Sequence, residues 1–136
     1  MTTTRPAGDA PADVELRLPA DSAYVSVLRT TSAGLAARLD FTLDDIEDLR
    51  MAVGEACALV LPSAEDGTDM TCRFYMDPGR LTVVVAVEST TATPPDTDGF
   101  AWQVLTTLAG DASASVAAGR YEIALTMQSE ARDVQG

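Results

Sequence analysis

The stretch MAVGEACALVL, Met51 to Leu61, sets a single carboxylate, Glu55, among apolar neighbours. A glutamate in such a setting can act as a general base when a second polar group shares its face. On a helix that group belongs one turn on, because side chains three or four apart are neighbours. Four residues after Glu55 stands Leu59, which offers nothing polar. Two readings of Glu55 follow: the remnant of a catalytic site, or a charge at the edge of a core. Arg29 is a different kind of candidate. It stands off the apolar stripe Tyr24, Leu28, Thr31, Leu35 and Leu39, so it is expected to project to solvent. There its planar fork can take a carboxylate with two hydrogen bonds. Phe100 and Trp102 are either core residues or contacts for a partner, since exposed tryptophan is favoured at interface centres.

Composition narrows the chemistry. The 136 residues suit one domain, and the formal net charge is -12 with no histidine. All nine basic residues are arginine. An acidic surface repels phosphate backbones, so no direct nucleic-acid binding is expected. A basic partner suits that charge. Without histidine there is no Ser-His-Asp triad and no histidine acid–base catalysis, and two cysteines cannot build a Cys/His metal cluster. No metal site is expected. No apolar run is long enough for a transmembrane helix, and the first residues, MTTTRPAGDAPAD, lack the apolar segment of a signal peptide. No membrane partner and a cytoplasmic location are therefore expected, with Cys57 and Cys72 as reduced, buried residues.

These residues must be positioned by regular elements. Residues 1–12, rich in Thr, Ala and Pro, are expected to form a disordered tail, residues 13–129 the domain, and 130–136 a second tail. VELRL alternates as a strand does and ends at Pro19. Asp21 can cap a helix from Ser22 to Leu39. Thr42 and Asp45 resemble a capping box, with Phe41 and Ile46 as a hydrophobic staple. That predicts a second helix from Leu43 to Leu61, burying Ile46, Leu49, Val53, Ala56 and Val60. MTCRFYM and LTVVVAVE make a hairpin around DPGR. A loop leads to a third helix, Gly99 to Ala109, and a second hairpin turns at Gly119. The order β, α, α, β, β, α, β, β gives an α+β fold: a two-layer sandwich, its mostly antiparallel sheet covered on one face by three helices.

That element order, together with LDFTLDDIEDLRMAVGEA over Leu39 to Ala56, resembles the GHKL (Bergerat-fold, histidine-kinase-like ATPase) family. Within it the chain is most similar to the branch of bacterial anti-sigma factors that are serine-protein kinases. The resemblance spans Val14 to about Met127. It implies that Glu55 matches the family's general base. It also implies that Leu59 occupies the place of the magnesium-binding asparagine. Glu88 falls at the adenine-binding aspartate, and Thr90 and Ala92 at the glycines that follow it. Of the Gly-x-Gly that cradles phosphates, Gly99 alone remains, followed by Phe100, Ala101 and Trp102. The site is thus expected to be degenerate. Glu55 is then vestigial, Glu88 and Gly99 are the surviving nucleotide contacts, and no cofactor is needed unless ATP and magnesium still bind.

By the same resemblance Arg29 falls on the position of the first helix that meets both the sigma factor and its antagonist, with Val25 and Ser26 on the same surface. The function so implied is an anti-sigma factor that sequesters an alternative RNA polymerase sigma factor and is countered by an anti-anti-sigma (STAS-type) protein. Dimerisation is implied as a tendency of the family. The alternative is an active ATP-dependent serine-protein kinase acting on the anti-anti-sigma factor. A third reading is a dimeric interaction module with no sigma partner.

Overall fold

A computed structural model of the chain describes residues 11–129. The expected C-terminal tail lies outside the described residues, as does the expected N-terminal one apart from Pro11 and Ala12. The elements are β1 (Val14–Pro19), α1 (Val25–Arg38), α2 (Leu43–Val60), β2 (Asp69–Asp77), β3 (Arg80–Glu88), α3 (Phe100–Leu108), β4 (Asp111–Ala117) and β5 (Arg120–Gln128). The five strands form one sheet in the order β1-β2-β3-β5-β4. Every neighbouring pair is antiparallel. This is the expected α+β sandwich.

Local chemistry starts and stops the elements where the sequence predicts. The Asp21 carboxylate accepts the Ala23 amide at 2.9 Å, capping a short 3-10 turn that feeds α1. At the start of α2, Thr42 Oγ1 accepts the Asp45 amide at 3.1 Å, and Asp45 Oδ2 accepts the Thr42 amide at 3.4 Å. This reciprocal pair satisfies two otherwise orphaned donors. The turn at Pro78–Gly79 uses a positive φ of 71° at Gly79, a conformation that costs glycine little.

Strand alternation sends Met70, Cys72, Phe74, Leu81, Val83, Val85, Ile123 and Leu125 toward the helices, and all are fully buried. They meet Leu49, Val53, Ala56 and Val60 of α2. Helix α2 is central, with α1 on one flank and α3 on the other. The far face of the sheet carries polar pairs instead. Thr82 and Thr126 hydroxyls lie 3.1 Å apart, and Glu122 joins Arg73 at 3.2 Å and Arg120 at 2.7 Å.

The buried stripe of α1 differs from the expected one. It runs Leu28, Ser32, Ala36, with Val25, Leu35 and Leu39 partly buried beside it. Tyr24 is 40 % exposed. The helix approaches its neighbours closely through small residues. Ser32 enters the core because its hydroxyl is satisfied by the Leu28 carbonyl at 2.9 Å.

Candidate functional site

Helix α2 positions the first candidate. Glu55 and Leu59, four residues apart, share one flank and are both half-buried. Among the described residues, Glu55 makes no hydrogen bond and no ion pair. Leu59 packs its carbon against the core cluster. Toward the other end of α2, the flank facing α3 opens into a cavity of about 440 Å³, lined among others by Asp45, Asp48, Thr107 and Leu108.

Glu88 does not join Glu55. It ends β3 on the alternation of Ala86, with Val87 facing the helices and Glu88 exposed. Its register partner is Arg120. With Arg17, Thr71 and Arg120 it lines a separate cavity of about 290 Å³ on the open side of the sheet. The next residue, Ser89, is the one that turns inward. It is 2 % exposed, and its hydroxyl accepts the Ala92 amide at 3.0 Å and the Thr91 amide at 3.3 Å. Sequence reasoning missed Ser89. The signal was the period of two, which places odd-numbered residues of this strand on the helix side.

Gly99 sits at the N-cap of α3 in extended backbone. Its amide donates to the Asp96 carbonyl at 2.9 Å, and a Cβ there would lie 3.1 Å from that same oxygen. The tight approach at Gly99 is thus made by the chain's own Asp96. Three residues on, Trp102 is only 9 % exposed and belongs to the core, whereas Phe100 is 85 % exposed. The expectation of Trp102 as a partner contact is corrected: a helix of nine residues can bury one face only, and Trp102 lies on it with Leu105.

The residues present do not fit a magnesium–nucleotide group. Leu59 has no oxygen for a hard cation, Glu88 lies across the sheet from Glu55, and the space at Gly99 is bounded by Asp96. Among the described residues, no three His, Cys, Asp or Glu side chains are grouped so as to hold a metal ion.

On the other flank of α2 the geometry is different. A Cβ built on Gly54 would lie 3.9 Å from Arg29 Cδ, so the arginine stem crosses from α1 onto α2. Arg29 is half-buried, and its Nε is buried without a hydrogen-bond partner among the described residues. This corrects the expectation that it projects freely: the helix pair is close enough at Gly54 to hold the stem. Ser26 is exposed, and Val25 packs partly against the core. Burial pushes the Cys57 thiol up to about 12, with the Arg29 guanidinium pulling the other way. Cys72 is likewise pushed up to about 12 by burial, and Cys57 adds to the shift. Both thiols are free and buried, which makes them poor nucleophiles.

The family model for the histidine kinase-like ATPase domain matches residues 18–114. The chain belongs to the histidine kinase-like ATPase domain family. Three similar curated proteins bear the name serine-protein kinase RsbW. That of Bacillus velezensis is 41 % identical over 76 residues, covering 54 % of this chain and 48 % of the relative. That of Halalkalibacterium halodurans is 42 % identical over 76 residues, covering 55 % and 47 %. That of Bacillus cereus is 40 % identical over 75 residues, covering 54 % and 47 %. The chain spans about half the length of the curated relatives it matches. Among the described residues, no helix is long and apolar enough to cross a membrane.

Proposed function

We propose that the chain is a cytoplasmic anti-sigma factor of the histidine kinase-like ATPase domain family. It holds an alternative sigma factor away from RNA polymerase and is released by a STAS-type anti-anti-sigma protein. The observation that carries this reading is the contrast along α2. The buried face that shapes the domain is fully packed, while the flank that would hold nucleotide presents Leu59 and an unpaired Glu55. A protein with that balance works through its surface and needs no hydrolysis. The net charge of -12 suits a partner with a basic, DNA-binding surface. Bacterial stress response and a homodimer belong to the same reading, with no direct nucleic acid and no membrane. The relatives' name, serine-protein kinase, favours the alternative of an active kinase. The missing donors weigh against it.

The partner surface is centred on α1, with Arg29 at its heart, Ser26 and Val25 beside it, and exposed Phe100 as the next contact. The experiment is a pull-down of the full chain against purified sigma factors, with and without ATP and magnesium, followed by Arg29→Ala. Retention of one sigma factor independent of nucleotide is expected. Removing Arg29 is expected to cost about 2 kcal/mol, near a thirtyfold loss of affinity. Calorimetric titration with ATP and magnesium is expected to show no binding in the low micromolar range. Tight nucleotide binding with phosphorylation of the antagonist would favour the kinase. No sigma factor retained would sink the reading.

A further inference from the structure

A buried donor left without an acceptor is destabilising, so each such group calls for a physical reason. Among the described residues, the buried side-chain nitrogens and oxygens in that state are Nε of Arg29 and Nε of Arg50. Helical spacing brings both to one seam. The Arg29 stem rests against Gly54, and Arg50 stands one turn before Gly54 on the same face of α2. The seam is kept low by small residues: Ser26 and Ala33 accompany Arg29 on α1, and Gly54 and Ala58 follow Arg50 on α2.

Neither arginine pairs with a described acid, although the chain carries 21 Asp and Glu. Among the described residues, Arg73 and Arg120 pair with Glu122 on the opposite face of the sheet. Each seam arginine is half-buried, so its stem is held by packing while part of the residue still meets solvent. Ordering a long side chain on binding normally costs affinity, and stems already fixed reduce that cost. Two pre-positioned positive charges thus sit in a shallow seam on an otherwise acidic molecule.

We propose that Arg29 and Arg50 form a two-point docking seam between α1 and α2 for acidic side chains of a protein partner, which presents at least two carboxylates to it. This extends the partner-binding reading above and rests on it for the involvement of α1; Arg50, on α2, has no role there. A protein partner can set basic residues against the acidic surroundings and a few carboxylates against the seam, whereas a nucleic acid is negative throughout and is repelled by a chain at -12.

The probe is the sigma factor that the full chain retains in the pull-down, titrated at two ionic strengths against wild type, Arg29→Gln, Arg50→Gln, the double variant and Arg50→Lys. Arg50→Gln is expected to weaken binding about five- to thirtyfold, comparably to Arg29→Gln and mainly through faster dissociation. The double variant is expected to lose more than either and to show a flatter salt dependence. Arg50→Lys keeps the charge without the fork and should recover part of the loss. Thermal unfolding of each variant reports folding. Should Arg50→Gln fail to fold, reduced affinity in folded Arg50→Lys supports the seam, and wild-type affinity overturns it. Weakening by Arg29→Gln with none by Arg50→Gln overturns the seam and leaves the sigma-binding reading standing. Wild-type affinity in both single variants overturns the seam and moves the interface elsewhere. Failure of wild type to retain any sigma factor overturns both.

Discussion

The two flanks of α2 are built from the same helix and face opposite neighbours, yet they carry different kinds of polar residue. Toward α3, Glu55 stands half-buried and unpaired beside Leu59, with no described acceptor, donor or cation to act on. Toward α1, the Arg29 stem rests against Gly54, and Arg29 and Arg50 each have Nε buried and unanswered within the described residues. The first flank has a carboxylate without a partner among the described residues. The second has cations whose setting is prepared. A helix can therefore keep its core face unchanged while its two edges diverge, because the core face fixes the fold and the edges do not.

The sharpest way to break that comparison is within α3, where a buried and an exposed aromatic sit two residues apart. Trp102 is in the core and Phe100 is 85 % exposed. Trp102→Ala is expected to cost about 3–5 kcal/mol, and Phe100→Ala within about 0.5 kcal/mol. Chemical denaturation of the two variants decides it. Equal, small losses would mean that α3 is only loosely held and that the flank it covers is open.

A smaller effect tests the α1 flank. Gly54 lies mid-helix, where glycine is less favourable than alanine by roughly 0.5–1 kcal/mol. A Cβ there would meet Arg29 Cδ at 3.9 Å, ordinary contact. Gly54→Ala is therefore expected to raise stability by about 0.5–1 kcal/mol, read as a higher unfolding midpoint. A drop would show that the seam has no room to spare and that the arginine stem is pinned more tightly than its distance implies.

The fold was legible because its signals are local. Thr42 with Asp45, Pro78 with Gly79, and the alternation of Leu81 to Val87 each specify their own element. The site was less legible because its geometry depends on neighbours. Periodicity marked Arg29 as off the apolar stripe, but only the contact with Gly54 decides that its stem is packed. It also counted Tyr24 and Thr31 and passed over Ser32 and Ala36, since small residues register weakly as apolar although they are what close helix packing needs. Glu88 was placed by resemblance, and the parity of its strand sends it to the far face of the sheet. The sequence left Trp102 open between core and partner contact, and only the packing of α3 decides for the core.

The smallest expected effect concerns Glu55 itself. A carboxylate that held a buried network would lose several kcal/mol on truncation, because its partners would be left unpaired. A carboxylate at the edge of a core, without a partner among the described residues, removes nothing of that kind. Alanine also has the higher helix propensity, which offsets part of any loss. Glu55→Ala is therefore expected to change stability by less than about 0.5 kcal/mol and to leave affinity for the sigma factor unchanged, because it lies on the flank away from Arg29 and Arg50. Denaturation and titration of one variant measure both quantities. A loss of several kcal/mol would reveal a network around Glu55. Weaker sigma binding in a stable variant would carry the partner surface around to the α3 side of α2, and the two flanks would then share one function.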